Sequence, residues 1–312
     1  MISRSTLIGA LVVVELAIVG AAAQAIVGTP SVNLGLQHEG PGSPGSFGGM
    51  FAATGRLDKT LATGPSPHVV VDVHDIDVVL DARAAQPVLR ATESLKIAGF
   101  VSGTATPIVA SATPDGARIT AGDSNFHAPF GSVTRTLHVA VPENARVEIL
   151  SAGRIDATGL RTKFVAHSPD GSVHVRDHRG DLDVSTASGR IELVDVQGAD
   201  IAVNTHEGRL YLTRVGADRI DAHSNFGRIY AVDLRVKDGA LNTHSGRISA
   251  SFTANSDATV KVSTGDGVVT VAGLPSTHAG TDKSTVQLGS GRGNFEVSTD
   301  EGAVNISQGA NV

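Results

Sequence analysis

A five-residue turn built around glycine and closed by a branched apolar residue recurs at a nearly constant interval, and nothing else in this 312-residue chain narrows the possible folds as far. The copies read SAGRI, PDGSV, ASGRI, HEGRL, NFGRI, HSGRI, GDGVV and DEGAV, with their glycines at Gly153, Gly171, Gly189, Gly208, Gly227, Gly246, Gly267 and Gly302. The intervals are 18, 18, 19, 19, 19 and 21 residues, then 35, which is close to two periods with one degenerate or looped-out copy between. Apolar and polar residues alternate on both sides of the turns. Ahead of the glycines stand pairs such as Leu182 and Val184, Ile201 and Val203, and Ile220 and Ala222; behind them stand Ile191 and Leu193, Leu210 and Leu212, and Ile248 and Ala250. Period-two alternation marks half-buried strands. A strand–turn–strand unit of this size buries one face per strand and cannot fold alone, whereas stacked copies pair equivalent strands and close a continuous thin core. The sequence therefore predicts an all-β chain, a two-sided β-solenoid (β-helix) of about 19-residue coils rising ~4.8 Å each. A meandering antiparallel sandwich would also give regular strands, but constant spacing with the same residue types in register favours stacking. The turn glycines supply either a positive φ or a close backbone approach.

The core must be built without large rings, because aromatic residues are 4% of the chain and tryptophan is absent. Val, Ile, Leu and Ala suit thin layered packing. Residues 51–140 hold less regular strands around Val69–Val73, 77–80, 117–120 and 136–141, and are expected to form the entrance and cap of a solenoid spanning 141–312. Open solenoid ends expose strand edges and need such cover.

The chain opens with an apolar run at residues 7–28, preceded by Arg4. About 20 apolar residues cross a bilayer as a helix. The run is therefore read as an uncleaved transmembrane anchor, with a cleaved signal peptide (small residues at 21–25) and a buried helix as alternatives. Either of the first two exports the remainder of the chain. Glu15 lies mid-run, where a charge costs roughly 3 kcal/mol on insertion scales. Residues 29–50 are rich in Gly, Pro and Ser and read as a flexible linker.

The order Leu137-His138-Val139-Ala140-Val141-Pro142, then Ala145-Arg146-Val147-Glu148-Ile149, then the glycine turns, then Leu288-Gly289-Ser290-Gly291 and Asn294 to Thr299, resembles the bacterial adhesin-type β-strand-repeat family, a domain of unknown function. The resemblance covers roughly residues 68–306. It implies a surface-associated β-solenoid, often membrane-tethered, with no established catalytic residues.

Arginine follows the glycine in four successive copies, at Arg190, Arg209, Arg228 and Arg247. Stacked, they form a guanidinium ladder that could grip an anionic envelope glycan. Alternatively Glu192, Asp195, Glu207 and Asp233 neutralise the row and the long stems merely cover the sheet. Tyr211 and Tyr230, the only two tyrosines, occupy equivalent positions one copy apart; they read as a ligand platform for a sugar or as an ordinary cross-strand pair.

Other constellations are weaker. His206 and His244 are two copies apart, too far for one metal, and His174 and His178 lack a metal-ligand pattern. Asp183 and Asp221, with Ala202 between, make a carboxylate pair with nothing converging on it. Arg179-Gly180-Asp181 falls where a turn meets a strand, and Gly289 to Gly293 is not followed by a helix as a phosphate loop would be. With no cysteine there is no disulfide framework or thiolate ligand. A net charge of −6 argues against nucleic acid as a partner. The sequence thus predicts a non-catalytic, surface-displayed binding module with no metal or cofactor, its partner an anionic glycan or another surface protein and its membrane contact made through residues 7–28. The alternatives are an envelope scaffold acting by self-association and, more remotely, a polysaccharide-active solenoid enzyme.

Overall fold

In the computed structural model, which describes residues 57–64, 66–82, 87–150, 153–278 and 280–309, every copy of the repeat lies beside its equivalent in a parallel ladder. Two ladders run the length of the stack. The back ladder carries the strands that precede the turn glycines, with Leu182 beside Ile201, Ile201 beside Ile220 and Ile220 beside Gly239. The front ladder carries the strands that follow them, aligning Val173, Ile191, Leu210, Ile229, Ile248 and Val304. Strand alternation turns every second residue into the space between the ladders, where Val, Ile, Leu and Ala are joined by Phe164, Phe252 and Phe295, all at most 2% exposed. Burying one such Val, Leu or Ile side chain contributes roughly 1.5–3 kcal/mol. The architecture is all-β and solenoid-like, and the antiparallel sandwich is not observed. Residues 7–28, and the helix expected there, lie outside the described residues. Among the described residues no helix is long and apolar enough to cross a membrane.

Two different devices make the corners. At the glycine corner a buried hydroxyl stands three residues ahead of the glycine: Ser168, Thr186, Thr205, Ser224, Thr243, Thr264 and Thr299. Thr186 Oγ1 donates to the Gly171 carbonyl of the preceding coil at 3.2 Å and accepts from the Gly189 N–H at 3.0 Å. Ser224 and Thr243 donate in the same way to Gly208 and Gly227. These bonds satisfy backbone groups that the corner would otherwise bury unpaired. They also bring successive glycines so close that a β-carbon on Gly189, Gly208, Gly227 or Gly246 would overlap the carbonyl oxygen of the glycine below it. None of these four has a positive φ. Close backbone approach, rather than a left-handed conformation, is what requires glycine here.

The opposite corner is left-handed instead. Gly159, Asp177, Asp195, Arg214 and Asp233 occupy equivalent places in five successive coils, with φ of 87°, 48°, 57°, 53° and 57°. Short polar Asp tolerates this region better than most residues. Arg214 is held by two bonds to Asp195, at 2.5 and 2.8 Å, and Arg161 grips Asp177 at 2.8 and 3.0 Å.

At both ends the coils leave chain order. The coil of residues 68–81 lies between 116–140 and 146–158. The coil of residues 293–308 lies between 238–252 and 258–272, so the last two coils exchange places. The 35-residue interval is thereby explained: the strands Ser276–His278 and Lys283–Leu288 are looped out as an antiparallel cover on the back ladder's final strand, Ala258–Asp266. At the other end Val88–Thr104 and Val109–Thr113 cover the front and back ladders, again antiparallel.

Candidate functional site

The four arginines lie in consecutive coils immediately past the glycine corner. Their carbonyls accept from Val173, Ile191, Leu210 and Ile229 N–H at 2.8–3.1 Å, so each backbone rung is locked to the coil before it. All four side chains are exposed. Adjacent rungs are ~4.8 Å apart.

Elsewhere, Arg90, Arg118, Arg154, Arg161, Arg176, Arg214, Arg219 and Arg292 each have a carboxylate within 4.0 Å. Among the described residues no carboxylate comes that near Arg190, Arg209, Arg228 or Arg247. Two of the four acids expected to balance them are engaged elsewhere: Glu192 reaches Arg176 at 3.9 Å, and Asp195 is taken by Arg214 at the far corner. Unit charges ~4.8 Å apart repel by about 1 kcal/mol per neighbouring pair even in water.

The tyrosines contact two of the four arginines. Tyr211 and Tyr230 pack ring on ring, with centroids 5.2 Å apart and planes inclined by 13°. Arg190 sits over the outer face of Tyr211, 5.1 Å from the centroid. Arg228 donates to the Tyr230 hydroxyl at 3.4 Å, and that bond raises its pKa above the ordinary arginine value. One face of Tyr211 meets Tyr230 and the other meets Arg190, while Tyr230 neighbours Ser249 on its far side in the register.

An exposed ring flanks the ladder at the corner itself. Phe226, 51% exposed, stands between His206 and His244 with edge contacts at 5.5 and 6.0 Å. The histidines bond outward, His206 to Asn225 at 2.7 Å and His244 to Asp300 at 2.6 Å. Neither Phe226 nor the buried hydroxyl series drew attention in the sequence, although the pattern Ser/Thr-x-x-Gly recurs with every turn from Ser168 onwards.

The remaining motifs separate. His178 is 1% exposed and shares Nε2 with the Gly180 and Asp181 carbonyls, at 3.1 and 3.3 Å; burial pushes its pKa down. Arg179-Gly180-Asp181 is a corner rung, its Gly180 N–H bonded to Gln197 O. Asp183 and Asp221 are two coils apart as expected, but Asp221 is bound by Arg219 at 2.6 Å. Asp221 and Arg219 line a shallow depression of about 490 Å³ together with Asp218, Asp238, Gly239, Ala240 and Asn294, and Asp183 is not part of it. The N–H groups of Ser290 and Arg292 point at the Asp257 carboxylate, which they and the two side chains hold well below the usual carboxylate range. Among the described residues no group of three or more His, Cys, Asp or Glu could hold a metal ion.

Residues 70–307 match the family model described as Toastrack DUF4097. The chain belongs to that family. Comparison with curated proteins returns no match. Among solved structures, the Toastrack chain is similar to a candidate adhesin from Bacteroides fragilis NCTC 9343 (12% identity, TM-score 0.42, covering 83% of this chain and 100% of that one). It is similar also to a candidate adhesin from Parabacteroides distasonis ATCC 8503 (11%, 0.45, 80% and 96%). A candidate lipid-binding protein of the same Parabacteroides strain aligns at 8% identity and a TM-score of 0.30, covering 82% of this chain and 95% of that one.

Proposed function

We propose that this Toastrack chain is a non-catalytic binding module displayed outside the cytoplasm, tethered through residues 7–28 and spaced by 29–50, whose arginine ladder grips a polyanion of the cell envelope. The observation that carries the reading is four arginines on in-register rungs with no carboxylate in ion-pair reach among the described residues, on a protein whose net charge is −6. A linear polymer bearing one carboxylate or phosphate about every 5 Å would meet one charge per coil and relieve the repulsion between rungs. Tyr211 and Tyr230 orient Arg190 and Arg228 for this contact. No group acts as nucleophile or general acid in the reading. The names of the similar solved proteins, adhesin and lipid-binding, agree with a binding role.

The test uses the full chain in nanodiscs, titrated with polygalacturonate and with polyglycerol phosphate at low and high salt. Salt-sensitive binding to either polymer, lost when Arg190, Arg209, Arg228 and Arg247 are all changed to Gln, is expected. Binding that survives the fourfold change removes the ladder from the account.

A further inference from the structure

At the end of the stack away from residues 258–272, the strands Val88–Thr104 and Asn125–Ala140 pair far beyond the ladder they cover. Arg90 to Ser94 and Thr136 to Ala140 complete the front ladder, but from Leu95 opposite Arg135 to Thr104 opposite Asn125 the two continue alone. The free part extends for ~30 Å at the usual strand rise. On its second strand Asn125, His127, Pro129, Gly131, Ser132 and Thr134 are exposed, and Phe130 is 77% exposed. Phe130 lies opposite Phe100 in the register. Among the described residues Phe130 is the most exposed of the large hydrophobic side chains.

Composition and anchoring say what the ribbon contacts. Residues 95–104 and 125–135 contain no Asp or Glu, although the whole chain is acidic; their charges are Lys96 and Arg135, with His127. Arg135 is 4% exposed and fixes the base of the ribbon through Glu93 (2.7 and 2.9 Å), the Thr106 carbonyl (2.8 Å) and the Ser124 hydroxyl. The ribbon is therefore held at a set angle. The first described strand, Asp58–Ala62, runs antiparallel to Val88–Thr104, with Asp58 opposite Thr92 and Leu57 O accepting from Glu93 N–H. Because the two strands are antiparallel, the Asp58 end of the first lies towards the ribbon. The apolar run at 7–28 lies about 30 residues upstream of Asp58. A flexible linker of that length spans ~30 Å on average, similar to the reach of the ribbon.

We infer that the ribbon 95–104/125–135 rests on the lipid bilayer, with Phe130 at the headgroup–acyl boundary, and so sets the solenoid at a fixed attitude to the membrane. The inference rests on the tether reading of residues 7–28. Interfacial segments bury apolar side chains such as Phe at that boundary, Lys96 and His127 suit anionic headgroups, and the absence of carboxylates removes the repulsion the rest of the surface would meet. The arginine ladder begins several coils away along the stack, on the glycine-corner side from which the ribbon also leaves, since Leu137 is in register with Val78 and Val78 with Ile155.

The chain has no cysteine, so a single probe site can be placed cleanly. Full-length protein carrying Ser132→Cys labelled with an environment-sensitive dye is mixed with phosphatidylcholine–phosphatidylglycerol vesicles containing a shallow doxyl-lipid quencher, and flotation is measured in parallel. Insertion to the 5–10 Å depth of interfacial segments predicts about twofold quenching. A probe at Thr270→Cys, in the farthest coil, is expected to be unquenched. Phe130→Glu in the Ser132→Cys background should abolish quenching while flotation persists. Flotation without quenching at residue 132 overturns the ribbon contact and leaves the tether standing. Failure to float overturns both. Self-quenching between labelled copies, with no effect of the doxyl lipid, identifies a second copy as the occupant and also overturns it.

Discussion

The middle coils and the two ends of this stack are built from the same strands but obey different rules. From residue 146 to residue 252 each coil lies on the one before it, and the glycine turns, buried hydroxyls and arginines align because chain order and spatial order agree. At the ends they part. Residues 68–81 and 293–308 slip into interior places, later or earlier segments close over them, and antiparallel strands cover the exposed edges. Regular repetition is the cheapest way to extend a solenoid, but it leaves an open edge at each end. The irregular ends are how this chain stops stacking, and the regular middle is where a repeating ligand can be matched.

The largest effect that separates the two regions should come from glycine. Gly208→Ala drives a β-carbon onto the Gly189 carbonyl, and chemical denaturation should show a loss of roughly 3 kcal/mol. Gly122→Ala, near the covered end, meets its nearest atom at 3.7 Å and should change stability by less than about 0.5 kcal/mol. Equal losses would erase the distinction. Next comes the hydroxyl series: Thr186→Val leaves the Gly171 carbonyl and Gly189 N–H without partners and should cost about 1–3 kcal/mol in the same assay.

A third effect depends on pH. Burial lowers the pKa of His178 from 6.5, so the unfolded chain binds the proton that the folded one refuses. Stability should therefore fall as pH drops below 6.5, with a slope of at most ~1.4 kcal/mol per pH unit from this residue. His178→Leu should flatten that slope, and an unchanged profile would assign the acid sensitivity elsewhere. The smallest effect belongs to the far end. Asp257 is depressed below 3.8 by Ser290 and Arg292, so its contribution is present above that pH and lost below it. Asp257→Asn should speed hydrogen exchange in residues 289–293 while leaving the middle coils protected as before.

Much of the middle was legible in the sequence. Period-two alternation around Gly189, Gly208 and Gly227 fixed both ladders and their register, and placed Arg190, Arg209, Arg228 and Arg247 in one row. The charge state of that row was not legible, because Glu192 and Asp195 are close in sequence but spend their carboxylates on Arg176 and Arg214. The left-handed corner was written at near-constant spacing as Gly159, Asp177, Asp195, Arg214 and Asp233, yet Gly159 and Arg214 break the residue-type signal that Asp carries. The exchange of the last coils could not be read at all, since Val297 and Val262 present the same pattern to Leu241 and only the 35-residue interval hints at a detour.

The stacking order can be tested directly by crosslinking a chain that has no cysteine of its own. Asn242 lies beside Ser298, and Ser298 beside Ser263, so Asn242 and Ser263 are two rungs apart. Neighbouring parallel strands place Cα atoms ~4.8 Å apart, within disulfide reach, while two rungs exceed it. Asn242→Cys with Ser298→Cys should oxidise readily, and Asn242→Cys with Ser263→Cys should stay reduced. Efficient crosslinking of the second pair with none in the first would mean that the coils stack in chain order, contradicting the exchanged end.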